Sequence, residues 1–335
     1  MAKRKVILTG DRPTGPLHIG HYFGSLTNRV RMQDEYETLV MVADVQALTD
    51  NWQNPGKVAE NVHEVALDNL AAGLDPAKAT LFIQSQIPQI AELTVFFANL
   101  VTVNELRRNP TIKSEVEQKR ELFGAEGESL TYGFLGYPVS QSADILFCRA
   151  NSVPVGADQL PVIELTREIA QKFNKLYGKK VFPVPEAKLS EAPRILGLDG
   201  NAKMSKSLNN AIYLKDTPEE TTEKIKTAKT DSEPVIGYDP EKRPEVSNLV
   251  LMYALSKGMT PQDALAELGN VNYSTFKPVL AEALNRHLEP LRERRRALAA
   301  NPDAVRQVLA DGLKKATRKA RSTMRLVRKA MHIAY

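Results

Sequence analysis

The first half of the chain alternates short β-rich runs with helical stretches, and this alternation limits the fold more than any other feature. Apolar runs of strand length lie at residues 6–9, 38–43, 80–83 and 152–155. Between the second and third runs, the apolar residues of 57–72 recur at helical spacing. Strands separated in this way by helices predict an α/β fold, a parallel sheet with helices on both faces. In such sheets ligands bind at the carboxyl ends of the strands.

The length of 335 residues predicts two compact units. Prolines punctuate the chain near 183–193, and the β pattern largely disappears after Lys203, so we place the boundary between 1–200 and 201–335. The polar segment 107–133 interrupts the first unit and is expected to leave the sheet. The second unit is expected to be all-helical. Its last helix, which starts near Asn301, is long and amphipathic, and it could pack back on the first unit.

Charge is concentrated at the end of the chain. Residues 286–335 hold 14 Lys or Arg and 4 Asp or Glu, whereas the whole chain holds 45 and 40. A basic end on a mildly acidic body suits a polyanion such as nucleic acid, although basic side chains also cover the wet faces of ordinary helices. No apolar run is long enough to span a bilayer. The single cysteine, Cys148, excludes an internal disulfide and a cysteine-based metal site, so a cytoplasmic location is expected.

Two histidines follow the first strand at the position where a phosphate site forms. The strand runs into a Gly/Pro-rich turn, and then His18 and His21 lie three residues apart on one side of a helix start. The amides of such a start favour an anion, and Gly20 between them lets a flat ligand approach the backbone. Taken alone, the pattern favours two exposed histidines on a capped helix.

Two lysines form a second cationic pattern in the other half of the chain. Lys203 and Lys206 are three residues apart and are flanked by small hydroxyl residues. The ammonium of lysine is a compact charge suited to phosphate oxygens. Taken alone, this pattern also describes a solvated basic turn.

Together the two patterns resemble the paired signatures of the class I aminoacyl-tRNA synthetases. We call His18-Ile19-Gly20-His21 the histidine signature and Lys203-Met204-Ser205-Lys206-Ser207 the lysine signature. Pro13-Thr14-Gly15 is typical of the tryptophanyl and tyrosyl subgroup. Three groups of stretches resemble its bacterial tryptophanyl branch, and the resemblance covers nearly the whole chain: 137–138 with 143–146, 155–159 with 163–167, and 230–232 with 238–239 and 246–249.

The resemblance implies a Rossmann-type catalytic domain for ATP and tryptophan at 1–200, and a helical anticodon-binding domain for tRNA(Trp) at 201–335. It also implies the site residues. His18, His21, Lys203 and Lys206 are catalytic and act on the phosphates. The ATP site is implied to contain Arg12, Gly20, Lys113, Gly156, Asp158, Ile195, Met204 and Ser207, and the tryptophan site Gln46, Tyr137, Gln141, Asp144 and Gln159. Within the ATP site, Gly156 and Asp158 are implied to hold the ribose, and Ile195 and Met204 to lie near the adenine.

The implied reaction is the ATP-dependent activation of L-tryptophan to its adenylate, followed by transfer to the 2′-hydroxyl of the terminal adenosine of tRNA(Trp). The carboxylate of tryptophan attacks the α-phosphorus, so no protein nucleophile is needed and the enzyme positions groups and stabilises charge. Mg²⁺ is carried by ATP, without a metal site on the protein. Asp144 is implied to accept the indole N–H, although an aspartate before Ile145-Leu146 could also cap a helix. A homodimer is expected, with the apolar segment 93–100 at the interface or in the interior.

Four departures from the family pattern leave alternatives open. Gln46, Gln141 and Val162 stand where histidine, methionine and histidine are common, and Asp11-Arg12 is an uncommon form. These departures resemble an auxiliary second type of bacterial tryptophanyl-tRNA synthetase, which often tolerates inhibitors that mimic tryptophan. The alternatives are a tyrosyl-tRNA synthetase and a synthetase-like protein with a binding or tryptophan-pathway role and a protein partner. Gln141 predicts tolerance of polar groups on the indole ring.

Overall fold

The computed structural model describes residues 4–123, 131–189, 194–200, 204–205, 208 and 210–335. Within them the chain forms a parallel five-stranded sheet in the order β3-β2-β1-β4-β5. This confirms the predicted fold class. The chain order reverses between β1 and β4, the place where ligands bind in such sheets. The strands are β1 (Val6–Asp11), β2 (Glu37–Val42), β3 (Ala79–Ile83), β4 (Ser152–Val155) and β5 (Glu186–Leu189).

Helices make up most of the remaining structure. A π-helical turn (Tyr22–Leu26) follows α1, and single 3₁₀ turns follow β3 (Gln84–Gln86) and β4 (Ala157–Gln159). In the first half the helices are α1 (Ile19–His21), α2 (Thr27–Glu35), α3 (Asp44–Asn51), α4 (Pro55–Ala71), α5 (Pro88–Ala98), α6 (Val103–Arg108), α7 (Pro110–Phe123), α8 (Tyr132–Leu146) and α9 (Leu160–Leu176). In the second they are α10 (Pro218–Thr227), α11 (Pro244–Lys257), α12 (Pro261–Leu268), α13 (Tyr273–Ala299) and α14 (Pro302–Ala330).

Successive side chains of a strand point to opposite faces of the sheet, so the buried apolar residues form one cluster on each face. Along β2, Leu39 and Met41 belong to one buried cluster, and Val40 and Val42 belong to the other. The first cluster includes residues of α5, α8 and α9. The second joins the histidine signature and α4 to apolar residues of α10, α11 and α13. Residues from both sides of position 200 therefore share one continuous apolar core.

The last helix, α14, crosses the edge strand β3 and contributes to both clusters. Val305 and Leu309 lie in one cluster, and Ala316 and Met324 lie in the other. At the crossing, a Cβ on Gly312 would lie 1.7 Å from the carbonyl oxygen of Leu81, so only glycine fits. The helix thus covers the edge of the sheet, which would otherwise expose unpaired backbone groups.

Strand β5 is the one strand of the described sheet that the sequence analysis missed. It lies at the edge, beyond β4, inside the segment interpreted as a proline-rich boundary. Glu186 and Lys188 alternate with Ala187 and Leu189, and none of the four is fully buried. Charged residues favour strands weakly, and an edge strand needs no apolar run, so the local sequence carries little β pattern.

Part of the basic face of α14 is bound to the body of the protein. The ammonium of Lys319 lies 2.8 Å from Glu37 at the start of β2, and the guanidinium of Arg328 contacts Glu92 of α5 at 2.5 Å. Arg321, Arg325 and Lys329 also lie along this helix. In the ranges that the structure describes, no helix has the length and apolarity that crossing a bilayer requires.

Candidate active site

The histidine signature follows the carboxyl end of β1 after a short loop. The ring centroids of His18 and His21 are 3.9 Å apart, and the backbone N–H of His18 donates to Nδ1 of His21 at 3.3 Å. His18 is buried and His21 is half-buried. The first helical turn therefore presents both imidazoles together, at the edge of the sheet where phosphates bind in such folds.

A segment of the second half of the chain pairs with this turn. The N–H of Ile19 donates to the carbonyl of Ile212 at 3.0 Å, and the N–H of Leu214 donates to Leu17 at 2.9 Å. These two bonds hold the residues that follow the lysine signature against the histidine signature. Lys203, Lys206 and Ser207 themselves lie outside the described residues.

The two apolar residues implied for the adenine site lie beside the histidine signature. The N–H of Met204 donates to the carbonyl of Ile195 at 3.4 Å, and both side chains are buried. A Cβ added to Gly20 would lie 2.9 Å from the ring of His18 and 3.7 Å from Cβ of Met204. Gly20 thus lets the imidazole of His18 pack close to the backbone, and a side chain at this position would have to displace it.

The carboxyl end of β4 carries the residues implied for the ribose. The side-chain amide of Gln159 donates to Oδ2 of Asp158 at 3.0 Å, and Asp158 is exposed. A Cβ on Gly156 would lie 2.7 Å from Oδ1 of Asp158, so a side chain there would displace the carboxylate. The hydroxyl of Thr111 on α7 donates to the carbonyl of Asp158 at 3.3 Å. Lys113 is exposed on the same helix.

Helix α8 carries three of the residues implied for tryptophan on one face. Tyr137, Gln141 and Asp144 follow one another at spacings of four and three residues. Tyr137 and Asp144 are buried, and Gln141 is half-buried. The structure therefore lines a single helix face with an aromatic ring, an amide and a carboxylate.

Asp144 is a fully buried carboxylate with an incomplete set of partners. Its Oδ1 accepts a hydrogen bond of 2.7 Å from Nε2 of Gln84, whose Oε1 accepts the backbone N–H of Gln46 at 3.0 Å. Oδ2 of Asp144 and Oε1 of Gln46 are buried and have no hydrogen-bond partner among the described residues. Burial raises the pKa of Asp144 to about 8, against the opposing effect of the Gln84 hydrogen bond. Oε1 of Gln46, and Oδ2 of Asp144 in its ionised form, are thus buried acceptors without a donor among the described residues.

Tyr137 closes the other side of this region. Burial, and then the carboxylate of Glu115 that its hydroxyl contacts, raise the pKa of Tyr137 far above its ordinary value. Arg12 and Asp50 face the same hydroxyl from a greater distance, and they form a 3.2 Å ion pair with each other at the exposed rim. The phenol therefore stays protonated and can donate its O–H.

The sequence analysis assigned no role to several residues that shape this site. Gln84 directly follows β3, so the rule that ligands bind at the carboxyl ends of strands was a usable indication of it. Asp11 ends β1 and contacts Arg29 at 2.6 Å, with Asn69 donating to the same carboxylate at 3.2 Å. Burial alone would raise the pKa of Asp11, but Arg29 lowers it to about 2. Nothing in the local sequence indicated that Arg29 is buried.

No group of three or more His, Cys, Asp or Glu is placed to hold a metal ion within the parts of the chain that the structure describes.

Comparison with known proteins identifies the family. Residues 2–289 match the family described as tRNA synthetases class I (W and Y). A tryptophan–tRNA ligase of Lactococcus lactis is 47% identical, with 99% of both chains covered, and that of Clostridium longisporum is 45% identical, with 100% of this chain and 98% of the relative covered.

Solved structures show the same likeness at the level of the fold. The tryptophanyl-tRNA synthetase of Campylobacter jejuni, in complex with ADP and tryptophan, superposes with a TM-score of 0.82 at 30% identity over 98% of this chain and 99% of that one. The enzyme of Mycoplasma pneumoniae gives a TM-score of 0.83 at 29% identity, with 98% of each chain covered. The match spans both halves of the chain and both signatures, and the chain belongs to the class I tRNA synthetases of the tryptophan and tyrosine group.

Proposed function

We propose that this chain activates L-tryptophan with ATP and transfers the tryptophanyl group to the 2′-hydroxyl of the terminal adenosine of tRNA(Trp). The observation that carries the choice of tryptophan is the buried Asp144, whose Oδ2 lacks a partner among the described residues. An indole N–H is the donor that this oxygen requires. Leaving a buried acceptor unpaired is costly, so a ligand without the N–H is disfavoured.

The side chains divide between the two ends of the substrates. Asp144 accepts the indole N–H, Gln46 and Gln141 line the ring, and Tyr137 and Gln159 contact the amino group. Gly156 and Asp158 hold the ribose, while Ile195 and Met204 pack against adenine. The phosphates are held by the two signatures, through His18, His21, Lys203, Lys206 and Ser207. Arg12 and Lys113 reach toward ATP from the rim of the site.

The first step needs no nucleophile from the protein. The tryptophan carboxylate attacks the α-phosphorus of ATP, a P–O bond to the carboxylate forms, and the bond to pyrophosphate breaks. Imidazole N–H groups and lysine ammoniums stabilise the negative charge that builds on the phosphates. Mg²⁺ bound to ATP would neutralise part of that charge, and the described residues supply no separate site for it.

The second step requires a tRNA, and the basic helix α14 is suited to its phosphate backbone. Arg321 and Arg325 face outward on this helix, whereas Lys319 and Arg328 pair with acidic residues of the body. Phosphate contacts release counterions, so binding weakens with salt. We expect tRNA affinity to fall at least tenfold between 50 and 200 mM salt, as measured by filter binding, and to fall less steeply in Arg321→Gln/Arg325→Gln. A flat salt dependence would contradict this assignment.

A second copy of the chain is the expected partner of α5. Val95 on this helix is 62% exposed, and Val103 on α6 is 53% exposed. Exposed apolar side chains are candidates for burial in an interface. Light scattering should give the mass of a dimer, and Val95→Asp should shift it toward the mass of one chain.

Amino-acid-dependent ATP–pyrophosphate exchange tests the activation step. The purified protein is given tryptophan, tyrosine or no amino acid in parallel. We expect exchange with tryptophan alone, followed by charging of tRNA(Trp) in a second assay. Exchange with tyrosine would favour the tyrosyl alternative, and exchange with neither would favour a synthetase-like binding protein.

A further inference from the structure

Two consecutive polar residues lie at the buried end of helix α4. Asp68 is 0% exposed and Asn69 is 1% exposed, between the apolar neighbours Leu67 and Leu70. A buried carboxylate and a buried amide are costly unless they are hydrogen-bonded, so their partners indicate why they are there. Neither residue was assigned a role from the sequence, and neither lies where a substrate would touch it.

Asp68 holds the residue that precedes the histidine signature. Its Oδ2 accepts the backbone N–H of Leu17 at 3.0 Å, and Leu17 is followed directly by His18. Leu17 is itself fully buried, and its carbonyl accepts the N–H of Leu214. Both backbone polar groups of Leu17 are therefore hydrogen-bonded, and these bonds fix the direction in which the chain enters α1.

Asn69 holds the other end of the same loop. Its Nδ2 donates to Oδ2 of Asp11 at 3.2 Å and to the carbonyl of Val65 at 2.9 Å, and its Oδ1 accepts from Arg29. Asp11 is the last residue of β1. Neighbouring residues of one helix thus anchor the two ends of the loop between strand β1 and the histidine signature.

Asp68 is also bound to the second half of the chain. Its Oδ1 accepts a hydrogen bond of 2.8 Å from Nε of Arg295, on α13. The same guanidinium contacts Glu64 at 2.5 Å, and its neighbour Arg294 donates to the carbonyl of Ala71 at 2.7 Å. One carboxylate therefore joins α13 to the loop that carries the histidines, more than two hundred residues earlier in the chain.

We propose that Asp68 is a positioning residue for adenylate formation, and that Arg295 acts through it. By holding the N–H of Leu17, Asp68 sets where His18 and His21 present their imidazoles, and Arg295 fixes the carboxylate in that orientation. This inference rests on the proposed function, because it concerns how the phosphate end of that site is built. It makes α13 part of the machinery of the first step, although α13 touches neither ATP nor tryptophan.

Two substitutions disturb this link in different ways. Asp68→Asn keeps the shape, but its amide has only one acceptor oxygen, so it cannot accept from Leu17 and Arg295 together. Arg295→Lys keeps the positive charge and loses the geometry with which the guanidinium contacts two carboxylates. Arg296→Gln is the matched control. It lies on the same helix, and its side chain is 63% exposed and contacts Glu289 instead of α4.

The test measures tryptophan-dependent pyrophosphate exchange, tryptophan affinity by calorimetry without ATP, and thermal unfolding. We expect Asp68→Asn to lower kcat at least tenfold, because a small displacement of reacting groups carries a large rate penalty. Arg295→Lys should lower kcat about threefold. In both variants the Kd of tryptophan should stay within twofold of the wild type, and Arg296→Gln should match the wild type in every measurement.

Several results would overturn the proposal. Unchanged kcat and KM for ATP in Asp68→Asn would show that the link does not position the histidines. An equal loss of tryptophan affinity and kcat would mark a general structural role. If Asp68→Asn does not fold, the same criteria apply to Arg295→Lys. Calorimetry of ATP binding is measured as well, so that the inference can be decided even where the wild type shows no exchange, a result that would count against the proposed function alone. Asp68→Asn should bind ATP more weakly than the wild type and Arg296→Gln should bind it equally well; equal affinities of Asp68→Asn and the wild type would overturn the inference.

Discussion

Two carboxylates, the fully buried Asp144 and the Asp11 whose side chain is 8% exposed, have opposite electrostatic environments. Asp11, at the end of β1, is paired with the guanidinium of Arg29 at 2.6 Å, which lowers its pKa to about 2 against the effect of burial. Asp144, on α8, receives only the amide of Gln84 at 2.7 Å, and burial raises its pKa to about 8.

The contrast separates a carboxylate whose partner the chain supplies from one that we propose pairs with a ligand. The partner of Asp11 is supplied by the chain itself, so its charge is satisfied before any substrate arrives. Oδ2 of Asp144 has no partner among the described residues, so its pairing depends on what binds. Substitution of the first should therefore lower stability, and substitution of the second should lower recognition.

The largest expected effect is on stability. Asp11→Asn leaves the buried Arg29 without its counter-charge and should lower the free energy of unfolding at pH 7 by about 4 kcal/mol. Asp50→Asn, which removes the exposed partner of Arg12, should change it by less than about 1 kcal/mol. Because the pKa of Asp11 is lowered on folding, the deficit should shrink as the pH falls from 4 toward 2. Urea unfolding measures the free energy of unfolding of both variants. Equal losses in Asp11→Asn and Asp50→Asn would show that Asp11 does not stabilise the fold through Arg29.

The next effect is on catalysis. In Asp144→Asn the amide must turn either its oxygen or its nitrogen toward Gln84, so it cannot satisfy both Gln84 and an indole N–H as well as a carboxylate does. We expect kcat/KM for tryptophan in pyrophosphate exchange at pH 9, where a pKa of about 8 leaves Asp144 ionised, to fall about 100-fold, since a hydrogen bond to a charged group contributes about 3 kcal/mol. The unfolding free energy should not fall. If Asp144→Asn loses stability and keeps its kcat/KM, Asp144 has a structural role like that of Asp11 and does not recognise tryptophan.

A pH titration of indole binding sharpens the comparison without any substitution. Indole has no titratable group in this range, so the pH dependence reports the protein. The pKa of Asp144 is about 8, and the ionised form is the stronger acceptor, so affinity should rise about tenfold from pH 7 to pH 9. The rise should vanish in Asp144→Asn. A pH-independent affinity in the wild type would argue against a raised pKa.

The smallest expected effect concerns the rim of the ring pocket. Gln141 lies one turn before Asp144 on the same face of α8 and is half-buried. Gln141→Met should weaken binding of a ring-hydroxylated tryptophan about fivefold relative to tryptophan, the loss of about one hydrogen bond. Competition between the two amino acids in the exchange assay measures the ratio of their affinities. Identical ratios in the wild type and Gln141→Met would show that Gln141 does not contribute to specificity.

The fold was largely predictable because the strands nearest the centre are buried on both faces. Apolar runs mark β1 to β4, and helical spacing marks α4 and α14. Strand β5 was not predicted because an edge strand needs little apolar surface, as Glu186 and Lys188 illustrate. The crossing of α14 over β3 at Gly312 depends on two segments far apart in sequence, which no local pattern describes.

Candidate site residues could be proposed from the sequence where they occur in short motifs. The two signatures and the α8 residues were assigned through family resemblance. The residues that support these side chains, Gln84, Arg29 and Asp68, were not assigned from the sequence. Their partners are distant in sequence, and locally they resemble ordinary polar residues of a surface. The fold alone brings these partners together.

The most direct test of the central claim compares tryptophan with an analogue whose indole N–H is replaced by sulfur. The analogue keeps the shape of the ring and removes only the donor that Oδ2 of Asp144 lacks. In pyrophosphate exchange, the wild type should prefer tryptophan by about 100-fold in kcat/KM, and Asp144→Asn should reduce the preference to about threefold or less. A wild type that uses both equally, or a preference that survives in Asp144→Asn, would contradict the assignment of Asp144 to the indole.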